Sequence, residues 1–196
     1  MDPLDSRTLY TGLVAIVALM RLAELVLSRR NIARLFERGA VEVGHSLYPW
    51  MVAVHTTFLV ACVTEVWLLD RPLIFGLEVV MLCLLVVAAA LRWWVISSLG
   101  DRWSTRVVLV PGDPPVTTGP FRWLRHPNYL AVIVEVAALP LVHTAWITAL
   151  AQMADEMDLK YLVITSLNRH FDMRHYLGQF SDRIQQFGSH PIRMRG

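Results

Sequence analysis

Hydrophobic residues along the chain fall into long runs rather than into the alternating patterns of amphipathic elements. About 20 apolar residues are enough for a helix to cross the hydrocarbon core of a bilayer. Stretches of this kind predict membrane helices at residues 9–27, 47–69, 73–96 and 129–150. Pro140 lies in the middle of the last stretch, where it predicts either a kinked helix or a bend between two shorter helices. The pattern therefore predicts an all-α, multi-pass transmembrane bundle of about four to five helices.

Composition supports a membrane protein and excludes several soluble classes. Of the 196 residues, 55% are hydrophobic and 17% are charged, whereas a soluble domain has more charge and fewer apolar residues. The formal net charge is +2, and no basic run is interleaved with aromatic residues, which argues against a nucleic-acid partner. Membrane lipids are the expected surroundings.

Basic residues in the short loops predict the orientation of the bundle. The first loop contains Arg29, Arg30, Arg34 and Arg38, the second contains Arg71, and the third contains Arg102, Arg106, Arg122 and Arg125. Short cytoplasmic loops carry an excess of arginine and lysine. We therefore expect a multi-pass protein of the cell (plasma) membrane, with the first and third loops cytoplasmic and the N-terminus outside.

Ionisable residues inside the apolar stretches need a structural or functional account. Arg21 and Glu24 are three residues apart on one helical face, which favours a paired structural contact. Glu78 lies in the third stretch and Glu135 about two turns into the fourth. A buried acid at Glu135 is explained either by a structural partner or by a ligand that it faces.

The third loop, residues 100–129, differs from the rest of the chain. Its prolines and glycines enforce turns, while arginine, histidine and tyrosine supply charge and hydrogen bonds beside the membrane. Pro127 or Asn128 can begin the next helix, whose free N–H groups then face an anion that Arg125 also attracts. His126 can exchange a proton near neutral pH. The alternative is a basic loop that only follows the charge rule for membrane topology.

The run Gly-Pro-Phe-Arg-Trp-Leu-Arg-His-Pro-Asn-Tyr, residues 119–129, resembles the motif of the isoprenylcysteine carboxyl methyltransferase family. More broadly, it is similar to membrane methyltransferases that act on phospholipids. The order of elements resembles this family from about residue 9 to residue 150. The resemblance implies S-adenosylmethionine (SAM) as methyl donor, in a pocket roofed by this cytosolic loop and open to the bilayer for a lipophilic acceptor.

The resemblance also implies particular site residues. The cofactor-binding residues it implies are Arg106, Asp113, Val116, Gly119, Phe121, His126, Pro127, Asn128 and Tyr129. The candidate catalytic residues are Arg125, His126 and Glu135. Anion pairing, proton exchange and a buried acid are the chemistries these three would supply. No metal site is predicted, since His170 and His175 are five apart and have no evident third ligand.

The C-terminal part departs from the family pattern. In the family, the bend is followed by a second apolar helix that ends in an arginine and a pair of glutamates. Here residues 151–160 are polar, and Leu167 and Asn168 occupy the acidic positions by ungapped counting. We therefore expect a methyltransferase-like helical domain, residues 1–150, and a divergent polar C-terminal segment, residues 151–196, which is either part of the same domain or a tail.

Three functions are compatible with these features. The leading hypothesis is an integral membrane methyltransferase that moves a methyl group from SAM to a carboxylate or hydroxyl oxygen of a prenylcysteine-like, lipid-like or polyketide-like acceptor. The alternative is a catalytically impaired membrane scaffold of the same family, which the missing arginine and glutamates favour. A small transporter that uses Glu78 or Glu135 as a coupling acid is the third, although no inverted repeat is visible.

Overall fold

A computed structural model describes residues 3–43 and 48–154 of the chain. The expectations for residues 155–196 lie outside these described residues. They concern the polar segment, the positions of Leu167 and Asn168, and the histidines at 170 and 175.

Helices dominate the described residues. They are α1 (Pro3–Glu37), α2 (Tyr48–Leu68), α3 (Phe75–Leu99), α4 (Pro127–Leu141) and α5, which is helical from 146 to 154. Two short strands, β1 (Val41–Val43) and β2 (Val107–Leu109), lie in the first and third loops. Single 3-10 turns occur at Gly100–Arg102 and at Gly119–Arg122, both in the third loop.

Three of these helices, α1, α2 and α3, are long and apolar enough to cross a bilayer. Many of their large apolar side chains point outward, including Leu19 on α1, Val60 on α2 and Val86 on α3, each at least 60% exposed. Water would disfavour such a surface, whereas lipid chains solvate it without cost. The prediction of an all-α membrane bundle is confirmed.

The region around Pro140 forms a bend, the second of the two arrangements that the sequence left open. Helix α4 ends at Leu141, a turn follows, and α5 begins at 146. The Pro140 carbonyl accepts hydrogen bonds from the N–H groups of His143 and Ala145, at 3.3 and 2.9 Å. Thr144 adopts a φ of +54°, and its hydroxyl donates to the Pro72 carbonyl at 2.6 Å. The bend therefore lies beside the link between α2 and α3.

Strands β1 and β2 join the first loop to the third. They pair antiparallel, with Val41 opposite Leu109 and Val43 opposite Val107. The two arginine-rich loops therefore lie on the same side of the bundle, as the charge pattern predicts. Which side of the membrane this is stays a prediction.

Two buried clusters hold the bundle together. The larger one joins α1, α2, α4 and the bend, with Cys62, Val66 and Leu139 fully buried at its centre. The smaller one lies beneath the third loop and is built from Val95, Ile96 and Trp103, with Phe121 packed against it. The loop thus has an apolar core of its own.

Candidate functional site at the third loop

Helix α1 anchors the beginning of the third loop. The Asn31 side chain, 2% exposed, donates to the carbonyls of Gly100 and Trp103 at 3.1 and 2.8 Å. One turn earlier, the Ser28 hydroxyl accepts from the backbone N–H of Thr105 at 2.9 Å. Since buried polar groups are costly without partners, these bonds fix the backbone of the loop against the helix.

Arginine pairs hold the middle of the loop. Asp113 accepts from Arg38, the residue just after α1, at 2.8 Å and lies 3.2 Å from a guanidinium nitrogen of Arg102. Arg102 also donates to the Pro114 carbonyl at 2.7 Å. The predicted cofactor-lining segment that begins at Asp113 is therefore pinned by two arginines that the motif does not include.

Arg106, another residue implied by the family resemblance, lies across the first loop. Its guanidinium carbon is 4.3 Å from the centre of the Tyr48 ring, and a nitrogen is 3.4 Å from both Glu42 carboxylate oxygens. A cation above an aromatic face is stabilised electrostatically. These contacts connect Arg106 to β1 and to the start of α2.

Gly119 opens the motif at a point where the loop touches α3. Its φ is +61°, and a Cβ at this position would overlap the Ser98 side chain and lie 3.3 Å from the Trp94 indole nitrogen. The neighbouring Pro120 is fully buried, and the rings of Trp94 and Trp123 meet edge to face at 5.6 Å. Only glycine satisfies both the backbone conformation and the close approach.

Gly119→Ala is expected to lower the free energy of unfolding by about 1–3 kcal/mol, through backbone strain and the overlap with Ser98. The matched control is Gly112→Ala, which has a φ of +87° but nothing within 4 Å of the added Cβ. Thermal unfolding in detergent compares the two variants. Adding Ser98→Gly to Gly119→Ala should recover the part of the lost free energy of unfolding that comes from the overlap with Ser98. Equal losses for the two alanine variants, or no recovery, would contradict the packing explanation.

The C-terminal half of the motif begins α4. Pro127 is fully buried at the first helical position, where its missing N–H costs nothing. His126 precedes it, and the His126 carbonyl accepts from the N–H groups of Tyr129 and Leu130 at 3.1 and 3.3 Å. The rings of His126 and Tyr129 lie 5.5 Å apart, and both side chains are exposed. Arg125 is exposed beside them.

Asn128 faces the other way. Its Oδ1 atom is buried and has no hydrogen-bond partner among the described residues. Asn128 and Glu135 are seven residues apart, hence on one face of α4 and about 10 Å apart along the axis. Ala131, fully buried, lies between them. The motif thus presents two faces, one exposed with His126 and Tyr129, and one directed inward with Asn128.

Below the loop, four ionisable side chains form a buried charge cluster: Arg21, Glu24, Arg92 and Glu135. Arg21 lies 2.7 Å from Glu24 and 3.2 Å from Glu135, while Arg92 lies 3.5 and 3.1 Å from the same two carboxylates. Their side chains are 20%, 5%, 9% and 13% exposed for Arg21, Glu24, Arg92 and Glu135. Two positive and two negative charges balance in a region that water hardly reaches. The cluster joins α1, α3 and α4.

The predicted site residues are therefore only partly brought together. Arg125, His126 and Tyr129 lie side by side, and Phe121 packs into the apolar core of the loop. Glu135 is separate from them, and its contacts are to Arg21 and Arg92. Its assignment as a group that faces a ligand stays a prediction. Arg92 lies within the predicted apolar stretch at 73–96 and was not predicted as a site residue.

Comparisons with known proteins bear on this arrangement. The model of the isoprenylcysteine carboxyl methyltransferase family matches residues 80–161, which include most of α3, the third loop and α4. One relative, the "Uncharacterized protein YpbQ" of Bacillus subtilis (strain 168), is 35% identical over 139 residues, 69% of this chain and 80% of the relative. An "Uncharacterized protein" of Haemophilus influenzae is 28% identical over 138 residues, 69% of this chain and 79% of that protein. No solved structure matches the chain.

The chain is thus a helical membrane bundle in which the motif at residues 119–129 opens α4 after a Pro/Gly-rich loop. The chain belongs to the isoprenylcysteine carboxyl methyltransferase family.

Proposed function

We propose that this protein transfers a methyl group from SAM to an oxygen of a lipophilic acceptor, at the face of the bundle formed by the third loop. The observation that carries the proposal is the motif at residues 119–129, held against α1 and α3 immediately before α4, in a chain of this family. By the distribution of arginines, this face is cytoplasmic in the cell membrane.

The residues of the motif match the chemical groups of SAM. The exposed guanidinium of Arg125 suits a carboxylate. The unpartnered Oδ1 of Asn128 suits an ammonium donor, because a buried acceptor gains most from a charged donor. Tyr129 and His126 provide ring surfaces for an aromatic base. When bound, SAM would supply an electrophilic methyl group on a sulfonium centre, whose neutral thioether is the leaving group when an acceptor oxygen takes the methyl.

A lipophilic acceptor is supported by the apolar surface around the motif. Trp123 is 69% exposed, and Trp94 and Leu130 are 44% and 42% exposed. In a bilayer these side chains lie at the interface, where indole rings are preferred. An acceptor with a hydrocarbon tail can therefore reach the motif laterally, without leaving the membrane.

The chemistry left to the protein is orientation and proton removal. An acceptor carboxylate is already an anion and needs only to be positioned, which can supply much of the rate. An acceptor hydroxyl must lose its proton, and we assign this role to the exposed imidazole of His126. Glu135 would act indirectly, by pairing with Arg21 and Arg92 and so holding α1, α3 and α4 together beneath the motif. Prenylcysteine-like carboxylates and acidic hydroxyls of lipid-like or polyketide-like molecules are thus both candidate acceptors.

SAM titration of the detergent-purified full chain tests the cofactor assignment by calorimetry. We expect saturable binding that weakens by roughly tenfold or more in Asn128→Leu, which removes the polar acceptor, and in His126→Ala, which removes a ring surface for the base. Arg29→Ala, exposed on α1 away from the motif, is the control and should bind as the wild type does. No binding by the wild type, or unaltered binding by both motif variants, would refute the proposal.

A catalytically impaired scaffold is the second candidate, favoured by Leu167 and Asn168 at the family's acidic positions. The two candidates differ in turnover rather than in SAM binding. Transfer of a labelled methyl group to a long-chain phenol or a prenylcysteine separates them. A chimera with a family-like C-terminal helix that gains turnover over an inactive wild type would establish the scaffold reading.

A further inference from the structure

A cavity lies at the end of the bundle opposite the third loop. It measures about 150 Å³ and lies between the first turns of α1, the first turns of α3 and the bend after α4. Leu9 and Leu73 form part of an apolar wall, and Leu9 is 61% exposed at the surface of the bundle. The cavity therefore opens toward the region that lipid occupies.

Polar groups line the inner end of this cavity, and several lack partners. His143 is 1% exposed, its Nε2 is 3.2 Å from the Ser6 hydroxyl, and its Nδ1 makes no hydrogen bond within the described residues. Tyr10 is 3% exposed, and its hydroxyl, which lies beside the Cys62 thiol, is paired with no nitrogen or oxygen atom there. Burying a polar atom of this kind costs free energy unless a hydrogen-bond partner reaches it.

Glu78 supplies the charge at the same place. It lines the cavity near His143, and no cation forms a salt bridge with it among residues 3–43 and 48–154; Arg7, a cation also near His143, pairs instead with Asp70 at 2.7 Å. Its position in the first turn of α3 favours a negative charge. The helix position alone does not account for a carboxylate at the wall of a cavity where the His143 Nδ1 and the Tyr10 hydroxyl oxygen also lack polar partners.

The three groups together are complementary to one kind of ligand. If the His143 Nε2–H donates to Ser6, then Nδ1 presents a lone pair, the Tyr10 oxygen a second acceptor and the Glu78 carboxylate a negative acceptor. A primary ammonium group has three N–H donors and a positive charge. A quaternary ammonium has the charge but no donors. The volume suits an ammonium group with the few carbon atoms next to it.

We propose that this cavity binds the primary ammonium group of an amphiphile, with the hydrocarbon part leaving between Leu9 and Leu73 into the bilayer. The site is separate from the one proposed for methyl transfer and does not depend on it. Because the ligand would contact α1, α3 and the bend at once, its binding stabilises the folded bundle in proportion to its concentration.

Two detergents that differ only in their headgroup provide the test. The full chain in an uncharged maltoside micelle is titrated with dodecylphosphoethanolamine or with dodecylphosphocholine, and the rise in unfolding temperature gives the apparent affinity. We expect the primary amine to bind about tenfold more tightly, because charge-assisted hydrogen bonds are lost in the trimethylated headgroup. Free ethanolamine distinguishes the source: binding as tight as that of the detergent indicates a soluble amine, and weaker binding indicates a lipid.

Variants tie the preference to the cavity. Glu78→Gln should remove the preference between the two headgroups, whereas Glu37→Gln, exposed at the far end of α1, should keep it. Tyr10→Phe removes one acceptor without changing shape and should weaken binding of the primary amine several-fold; it serves where Glu78→Gln does not fold. Equal affinity for both headgroups in the wild type, or a preference that survives both cavity variants, would mean an ordinary hydrated cavity and would overturn the proposal.

Discussion

Replacing Glu135 by leucine is expected to lower the free energy of unfolding by about 3–5 kcal/mol, the usual effect of removing one partner from a buried ion pair. The variant leaves Arg21 and Arg92 with the single carboxylate of Glu24 in a region that is nearly closed to water. Two guanidinium groups then share one negative charge in a medium of low dielectric constant. Unfolding in mixed micelles, followed by circular dichroism, measures the loss.

The double variant Arg92→Leu with Glu135→Leu distinguishes charge imbalance from lost packing. It removes one charge of each sign and leaves Arg21 paired with Glu24 at 2.7 Å. We therefore expect it to be more stable than Glu135→Leu alone, with a coupling energy of about 1–3 kcal/mol. Glu37→Leu, an exposed acid on α1, should change stability little. Additive losses in the double variant would show that the four charges do not act as a unit.

The charge cluster also bears on the proposed site. Glu135 lies about two turns below Asn128 on the same face of α4, and Arg92 lies two turns before the end of α3, where Ser98 meets Gly119. The cluster therefore joins α3 and α4 directly beneath the motif. A loss of SAM affinity in Glu135→Leu that the double variant reverses would indicate that the cluster acts by positioning these helices.

Apolar run length predicted the helices well because a bilayer imposes a minimum span and leaves no alternative to a helix. The predicted stretches at 47–69 and 73–96 agree with α2 and α3 within three residues at each end. Helix α1 extends ten residues beyond the predicted 27, to Glu37. Its last turns are polar and contact the third loop through Asn31, a partner that hydropathy does not reveal.

Local spacing found only the part of the charge cluster that lies on one helix. Arg21 and Glu24 are three residues apart and were predicted to pair, which their 2.7 Å contact confirms. Arg92 is 68 residues from Glu24 and 43 from Glu135, so no periodicity relates them. The one available signal was that an arginine next to Trp93 must either reach the interface or find a buried partner.

Glu65 is a second ionisable residue that the sequence reasoning passed over. It lies one turn before the end of α2 and is 7% exposed. In the sequence it stands within a mostly apolar stretch. Its carboxylate accepts from the backbone N–H groups of Ile147 and Thr148 at 3.1 and 2.7 Å, and from the Thr148 hydroxyl at 2.7 Å. Arg71 donates to it at 2.6 and 2.9 Å. A side chain of α2 thus caps the start of α5.

Glu65→Leu is expected to lower the free energy of unfolding by about 3–5 kcal/mol. The change leaves Arg71, 23% exposed, without its carboxylate, and leaves two backbone N–H groups at the start of α5 without an acceptor. Each unsatisfied buried donor adds about 1–3 kcal/mol before relaxation. Chemical unfolding in mixed micelles checks the magnitude.

Three further variants separate the cap from the general cost of altering α2. Thr64→Val, on the exposed neighbouring residue, should be close to neutral because it faces lipid. Glu65→Gln should lower the free energy of unfolding less than Glu65→Leu does. Its amide oxygen still accepts a hydrogen bond, while its NH₂ group faces another donor. Thr148→Ala should lower the free energy of unfolding by about 1 kcal/mol, the usual net contribution of one hydrogen bond. If Glu65→Leu were no more harmful than Thr64→Val, the carboxylate would not be what fixes α5 against α2. The return of the chain after the bend would then need another explanation.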